Sequence, residues 1–438
     1  MAPELGRNIA ADRINLEALC TGIGDQGIDQ PSRHAATANL GWHERVLGRP
    51  DIAAHDPGQP SDCRLPRQMR MIFAGPVVAV TGNSYFGHAA LLKLDGGATG
   101  HNAHSMAMQF LSDNAASVHP ALWRAMQAAD APDSPYDGDA LSQRLDEAFG
   151  LTFGRPCAVL WAATGTAVNC LALASMVQPH GGVVCHREAH IEMDEGGAPG
   201  FYLHGAKLML AEGEGAKLNP EAIAAVIDPI RNDVHQVQPQ AVSITQASEY
   251  GRAYQPAEMA AIAHFCAARG LPLHVDGARF ANAVAFLGCT PWEACQGAAA
   301  LSFGMIKNGG MSAEALVFFD QGLADVARYR RKRAGHLQSK GRYLAAQLLA
   351  MLEGDLWLDN ARHANAAAQE LAAAAQGRLL HPVEANEVFL RLTAAEREAL
   401  RGQGFSFYDW GDEAARLVTA WNSPADHVSA LARAIGAL

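Results

Sequence analysis

Asp276 closes the apolar run LHVDGAR, and a short way downstream Lys307 sits in SFGMIKNGG. A strand ending in an acid, followed by a second strand-like run that delivers a lysine, suits an enzyme that uses pyridoxal 5'-phosphate. The lysine would hold the cofactor aldehyde as a Schiff base, and the acid would keep the pyridine nitrogen protonated, making the ring an electron sink. Surface lysines and strand-end aspartates are each common, so the reading depends on the polar positions around them.

Thr164-Gly165-Thr166 joins a strand to a helix N-terminus. Free backbone N–H groups and the helix dipole favour a phosphate there, and glycine permits close approach, although many such turns are only tight connections. No G-K-[ST] follows and no G-x-G-x-x-G is present, which sets aside nucleotide loops. His190 lies in CHREAHIEMDEGGAP. HREAH is not a zincin pattern, and no metal is expected. His190 reads either as a hydrogen-bonded loop histidine or, beside a planar cofactor, as a ring-stacking base. Arg279 follows Asp276 by one short step. It reads either as a salt-bridge partner or as a bidentate clamp on an amino-acid carboxylate, with Arg416 in EAARLVTAW as a candidate second clamp. The run RYRRKR at 328–333 reads as the polar face of a long helix.

These residues need a scaffold that gathers strand ends. CAVLWAATG, VVCHREAHI, AVSITQ, LPLHVDGAR, LSFGMIKNG and ALVFFD are strand-like, and helical patterns separate them. Pro256 opens one such helix, with Met259, Ile262, Ala263 and Cys266 on one face and Gly270 as its stop. The alternation predicts an α/β fold: a mostly parallel sheet with helices on both faces, whose ligands gather at the carboxyl ends of the strands. The expected division is a large cofactor-binding domain over 106–329 and a smaller α+β C-terminal domain over 330–438. Residues 1–105 lack sustained periodicity and read as a poorly ordered extension, or as the product of a start site set too far upstream. A chain beginning at Met106 should keep full activity.

The chain has 438 residues, 49% of them hydrophobic, enough for a sizeable core. Its formal charge of -11 argues against nucleic acid or an anionic membrane as the main partner. Eight cysteines without C-x-x-C spacing suggest buried thiols in a reducing compartment. Without a signal peptide or an apolar run of membrane-spanning length, a cytoplasmic protein is expected.

Together the segments resemble the low-specificity L-threonine aldolases, of the aspartate-aminotransferase-like fold (fold type I) of pyridoxal phosphate enzymes. The matching stretches are LSDNAASVHP, ATGTAVNCLALAS, CHREAHIEMDEGGAP, QASEYG, LHVDGARFANAVAFLGC and SFGMIKNGGMSAEALVFF, with RAGHLQSKGRYLAAQ and HPVEANEVFLRL in the second lobe. The resemblance covers residues 108–438. It implies that Lys307 is the Schiff-base lysine, that Asp276 pairs with the pyridinium nitrogen and that His190 stacks on the ring. Gly165 and Thr166 are implied to bind phosphate, helped by Lys332 of a neighbouring subunit. Ser112, Arg279 and Arg416 are implied to hold the substrate carboxylate, and Tyr136 to line the site across a subunit interface of a homodimer or homotetramer. The implied reaction is retro-aldol cleavage of L-threonine or L-allo-threonine to glycine and an aldehyde. Rival readings are a phenylserine aldolase, another lyase or an aminotransferase on the same fold, and a non-catalytic amino-acid-binding protein.

Three departures from the family's pattern stand out. Ile306 replaces a threonine before the lysine. Gln246-Ala247-Ser248-Glu249 replaces Glu-Asn-Thr-His, which leaves His190 or an ordered water as the expected base. Tyr136-Asp137-Gly138-Asp139 replaces Tyr-Gly-Asp-Asp.

Overall fold

The computed structural model describes residues 108–438 except residue 376. The expectation for residues 1–105 lies outside them. Seven strands form the main sheet: β1 (Ala158–Ala162), β2 (Gly181–His186), β3 (Lys207–Ala211), β4 (Gln238–Thr245), β5 (Leu273–Gly277), β6 (Ala298–Phe303) and β7 (Glu314–Phe318). Their spatial order is β1-β7-β6-β5-β4-β2-β3. All neighbouring pairs are parallel except those of β7, which is antiparallel to both β1 and β6. The reason is connection length: only residues 304–313 join β6 to β7, too few for a crossover helix.

Both faces of the sheet are covered, and β1 shows the period of two behind this. Val159 and Trp161 belong to the same core as helices α2 (Pro256–Ala268) and α3 (Phe280–Leu287). Ala158, Leu160 and Ala162 face the other way, onto α1 (Gly165–Met176) and α4 (Gln321–Arg333). In α2 a capping box between Gln255 and Glu258 satisfies the first turn, and Met259, Ile262 and Cys266 are buried as the pattern requires. The edge strand β3 escaped the sequence reading because only Met209 and Ala211 of KLMLA are buried.

The second lobe is built on a three-stranded antiparallel sheet of β8 (Glu387–Arg391), β9 (Tyr408–Asp409) and β10 (Ala414–Val418), packed on α6 (Leu356–Ala374) and α7 (Ala425–Gly436). Packing shares residues across the expected boundary at 330. Helix α5 (Arg342–Leu352) and Trp357 belong to the core of the main sheet, while Met108–Gln109 pairs with Phe405–Ser406 and Phe110 joins the second core.

The RYRRKR run is not wholly a polar face. Arg331 is fully buried, its guanidinium 4.6 Å from the Trp161 ring centroid, donating to the Trp161 carbonyl at 3.2 Å and ion-paired with Asp137. A planar cation can stack and donate at once, so one arginine of the run belongs to the core. Among the described residues all six cysteines are free and five are buried, and no helix is long and apolar enough to cross a membrane.

Candidate active site

Strands β1, β5 and β6 release their chains at the same edge of the sheet. Because β7 runs backwards, it starts there. A cavity of about 390 Å³ opens at this edge, lined among others by Thr164, Gly165, Thr166, Asn169, His190, Asp276, Ser302, Lys307 and Glu314. Glycine allows two of the strand ends to crowd together: a Cβ at Gly304 would run into the Ala278 main chain.

Asp276 is buried at the end of β5 and held from two sides. Its Oδ2 accepts from Asn169 Nδ2 at 2.7 Å and its Oδ1 from the Ala278 N–H at 3.0 Å. Asn169 is a buried polar residue of α1, and its amide also donates to Glu195 Oε1 at 2.9 Å. Glu195 in turn accepts from His190 Nδ1 at 3.0 Å. That hydrogen bond is the main reason the His190 pKa lies above its ordinary value. One amide therefore joins two carboxylates and an imidazole whose nearest polar atoms lie within 4.8 Å of one another. The Asn169 amide donates to both carboxylates.

Thr164 caps α1 by accepting from the Ala167 N–H at 3.2 Å, and nothing stands within 4 Å of where a Gly165 Cβ would be. The helix N-terminus is thus open on the cavity side. Lys307 enters from the turn after β6. Burial first, and then the Arg279 guanidinium, hold its ammonium below its usual range. A depressed lysine is the form that can act as a nucleophile near neutral pH.

The residues expected to hold a carboxylate converge, but not as free groups. Arg279 donates from Nε to Asp113 Oδ2 at 2.8 Å and from Nη2 to Asp113 Oδ1 at 3.1 Å, and its Nη1 lies 3.3 Å from Glu387 Oε1. Its salt-bridge reading is therefore the one realised here. Ser112 precedes Asp113 and caps a short turn through its hydroxyl. Arg416 Nη1 stands 4.0 Å from the same Glu387 oxygen, and its buried Nε has no partner. Burial raises the Asp113 pKa, yet Arg279 and Lys307 outweigh it and hold the carboxyl below its usual range. Removing Arg279 would strand two buried carboxylates. Arg279→Ala is expected to destabilise the fold by about 3–5 kcal/mol. Urea denaturation checks this, and a loss below about 1 kcal/mol would mean the pairs are solvated like surface ones.

Tyr136 and Lys332 lie together on the surface, the Lys332 ammonium 4.7 Å from the Tyr136 ring centroid. Neither lines the cavity. Tyr136 is held in a left-handed conformation, φ 63°, with its N–H donating to the Ser339 carbonyl at 2.9 Å. The residues after it are structural: Asp137 pairs with Arg331, and Asp139 accepts from the Ser142 N–H at 2.8 Å.

Three acids were given no role by the sequence reading. Glu195 sits in a loop with no periodicity. Glu314 is the first residue of a strand read as beginning one position later. Glu249, in the variant QASE segment, accepts at Oε1 from Thr245 Oγ1 at 2.6 Å and from the His190 N–H at 3.0 Å, while its buried Oε2 has no partner. Gln246 of the same segment is a core group, bonded through its amide to Tyr254 and Ala294. Burial pushes the Glu249 carboxyl up to about 7. Because the fold favours its neutral form, the associated stability is present below about pH 4.5 and lost as pH rises through 7. At about 1.4 kcal/mol per pH unit the loss is on the order of 3 kcal/mol. Glu249→Gln should therefore gain on the native protein between pH 5 and pH 8. Denaturation midpoints at the two pH values test this, and an unchanged gap would show that Glu249 does not titrate there.

An open α/β sheet of this order, with a lysine, a strand-end acid and an open helix N-terminus at one edge, has the architecture of the fold type I pyridoxal phosphate enzymes. The residues fit that cofactor: a buried lysine of depressed pKa, an acid held by two donors, an imidazole lining the cavity, and backbone donors for a phosphate. The model of the beta-eliminating lyase family matches residues 109–395. A low specificity L-threonine aldolase of Pseudomonas aeruginosa is 44% identical over 337 residues, covering 75% of this chain and 96% of that protein. Another, from a Pseudomonas species, is 43% identical over 340 residues, covering 75% and 97%. Among solved structures, a threonine aldolase of Leishmania major superposes with a TM-score of 0.70 at 26% identity, over 75% of this chain and 99% of that one. The chain belongs to the beta-eliminating lyase family and, within it, to the low-specificity L-threonine aldolases, which are carbon–carbon lyases.

Proposed function

We propose that this protein cleaves β-hydroxy-α-amino acids such as L-threonine and L-allo-threonine between Cα and Cβ, giving glycine and an aldehyde, with pyridoxal 5'-phosphate as cofactor. The observation that carries the proposal is the convergence of Lys307, Asp276, His190 and the Thr164–Thr166 turn on one cavity. The cofactor, when bound, supplies an electron sink for the pair of electrons left by the broken bond.

Lys307, buried and with a depressed ammonium, would hold the cofactor through its amine. Asp276, fixed by Asn169 and Ala278, would supply the counter-charge for a protonated ring nitrogen. Gly165, Thr166 and the free N–H groups of α1 bind the phosphate. His190 covers the ring. With Nδ1 donating to Glu195, its Nε2 is left to accept the β-hydroxyl proton, and the neighbouring carboxylate makes it the stronger base. Arg416 and Ser112 receive the substrate carboxylate, and Arg279 joins them once Glu387 gives way. Holding that carboxylate would fix the orientation of the substrate at Cα and so select the bond that breaks. Tyr136 and Lys332, paired on the surface, complete the cavity of a second copy in a homodimer or homotetramer.

Incubation with L-threonine, L-allo-threonine and L-phenylserine, with and without added cofactor, tests the assignment. Glycine and the matching aldehyde are expected in a cofactor-dependent manner, faster with the aliphatic substrates. Faster cleavage of L-phenylserine would favour an aryl-specific aldolase. Ammonia and a keto acid, or a requirement for a keto-acid acceptor, would overturn the reading.

A further inference from the structure

Glu314 has no part in the chemistry above, yet it lines the same cavity as Lys307 and is only 5% exposed. It opens β7 opposite Ala162, two residues before Thr164. Its Oε2 accepts from the Met305 N–H at 2.5 Å, and the Ile306 N–H adds a second main-chain contact. The carboxyl therefore braces the two residues that immediately precede Lys307. The aliphatic Ile306 offers no hydroxyl beside the lysine, so an acid reaching in from β7 is a proton-carrying group next to the turn that presents it.

An acid in this place can exchange a proton with the lysine only if the two compete for it on near-equal terms. Burial pushes the Glu314 carboxyl up to about 7, against an opposing pull from Lys307, while burial and Arg279 push the Lys307 ammonium down. The two pKa values move towards each other. The other charged or titratable groups facing this pair are Asp276, His190 and Asp194 on the cavity wall, and Asp113, Arg279 and Glu387 beyond Lys307.

We propose that Glu314 is the proton carrier for Lys307 when the lysine bonds to the cofactor. The inference rests on Lys307 being the anchoring lysine, as assigned above. An N–H bond of the ammonium breaks and a carboxyl O–H bond forms, which frees the nitrogen lone pair to make the bond to the aldehyde carbon. Glu314 then returns the proton to the aldehyde oxygen, which takes a second hydrogen from the same nitrogen and leaves as water. The nitrogen keeps its last hydrogen and the positive charge, and Glu314 is again an anion. No proton is exchanged with solvent.

The test uses the full-length chain prepared without cofactor, mixed rapidly with pyridoxal 5'-phosphate or with pyridoxal between pH 5.5 and 9. The visible absorbance that reports the lysine–cofactor bond is followed in time. Pyridoxal removes the phosphate's own titration. In the native protein the rate of bond formation is expected to rise through an inflection near pH 7. In Glu314→Gln, which keeps an acceptor for the Met305 N–H, the inflection should vanish and the rate at pH 7.5 should fall about a hundredfold, the scale of one general acid–base group. Added formate should restore part of the rate in Glu314→Ala. Equal rates and equal pH profiles in native and Glu314→Gln protein would make Glu314 a brace only and overturn the proposal. If the variants do not fold, a native profile without an inflection between pH 6 and 8 overturns it on its own. Borohydride trapping keeps the two assignments apart, because absence of a mass adduct on the native Lys307 peptide sinks the lysine assignment, whatever Glu314 does.

Discussion

Lys307→Ala is expected to abolish aldehyde release from L-threonine while leaving a folded protein. The loss should be about 10⁴-fold or more, since the substitution removes both the covalent anchor and a proton-transfer group. The fold should tolerate it. Among the described residues no ion pair engages the Lys307 side chain, and burial already disfavours its ammonium. The change therefore removes an unfavourable buried charge and breaks no ion pair. Steady-state aldehyde release and a thermal melt, run side by side, separate chemistry from stability. Release at the native rate from the variant would refute the role of Lys307. A collapsed melt would show that the lysine is structural as well.

Asp276→Ala should lower turnover by about 10²–10³-fold, the scale found when one preorganised electrostatic partner is removed. Two features of the site argue for that size. The carboxylate is buried, so no water replaces it cheaply. It is also held at both oxygens, by Asn169 and by the Ala278 N–H, so its position is fixed before any ligand arrives. The same contacts predict a side effect. Asn169 Oδ1 is already without a partner, and loss of Asp276 weakens what holds its amide beside Glu195. His190, bonded to Glu195, should then titrate differently. A pH–rate profile of the variant measures this, and a near-normal rate with an unshifted profile would remove Asp276 from its role.

Two positions of the Gln246–Glu249 departure gain a physical account from the structure. Gln246 replaces an acid with a neutral amide bonded on both sides in the core, so its place is taken by a group that cannot titrate. Glu249 replaces an imidazole with a buried carboxyl tied to the His190 backbone. The segment still holds His190, through the Glu249 side chain and the His190 N–H.

Most of the strands, helix α2 and the placement of Asp276, Gly165 and Lys307 at strand ends were legible in the sequence. Period-two and period-3.6 burial are local properties, written in residues such as Val159, Trp161, Met259 and Ile262. The sequence also carried the group types needed for one kind of chemistry, because a lysine, a strand-end acid and a Gly turn announce themselves by pattern. Partnership was not legible. That Asp113 and Glu387 claim Arg279, that Asn169 ties Asp276 to Glu195, and that Glu314 reaches the turn before Lys307 depend on residues as many as 166 apart in the chain. Composition and spacing name the charges. Only the folded arrangement sets which charges touch and how far water is excluded from them, and those two quantities fix the protonation state on which each proposed role depends.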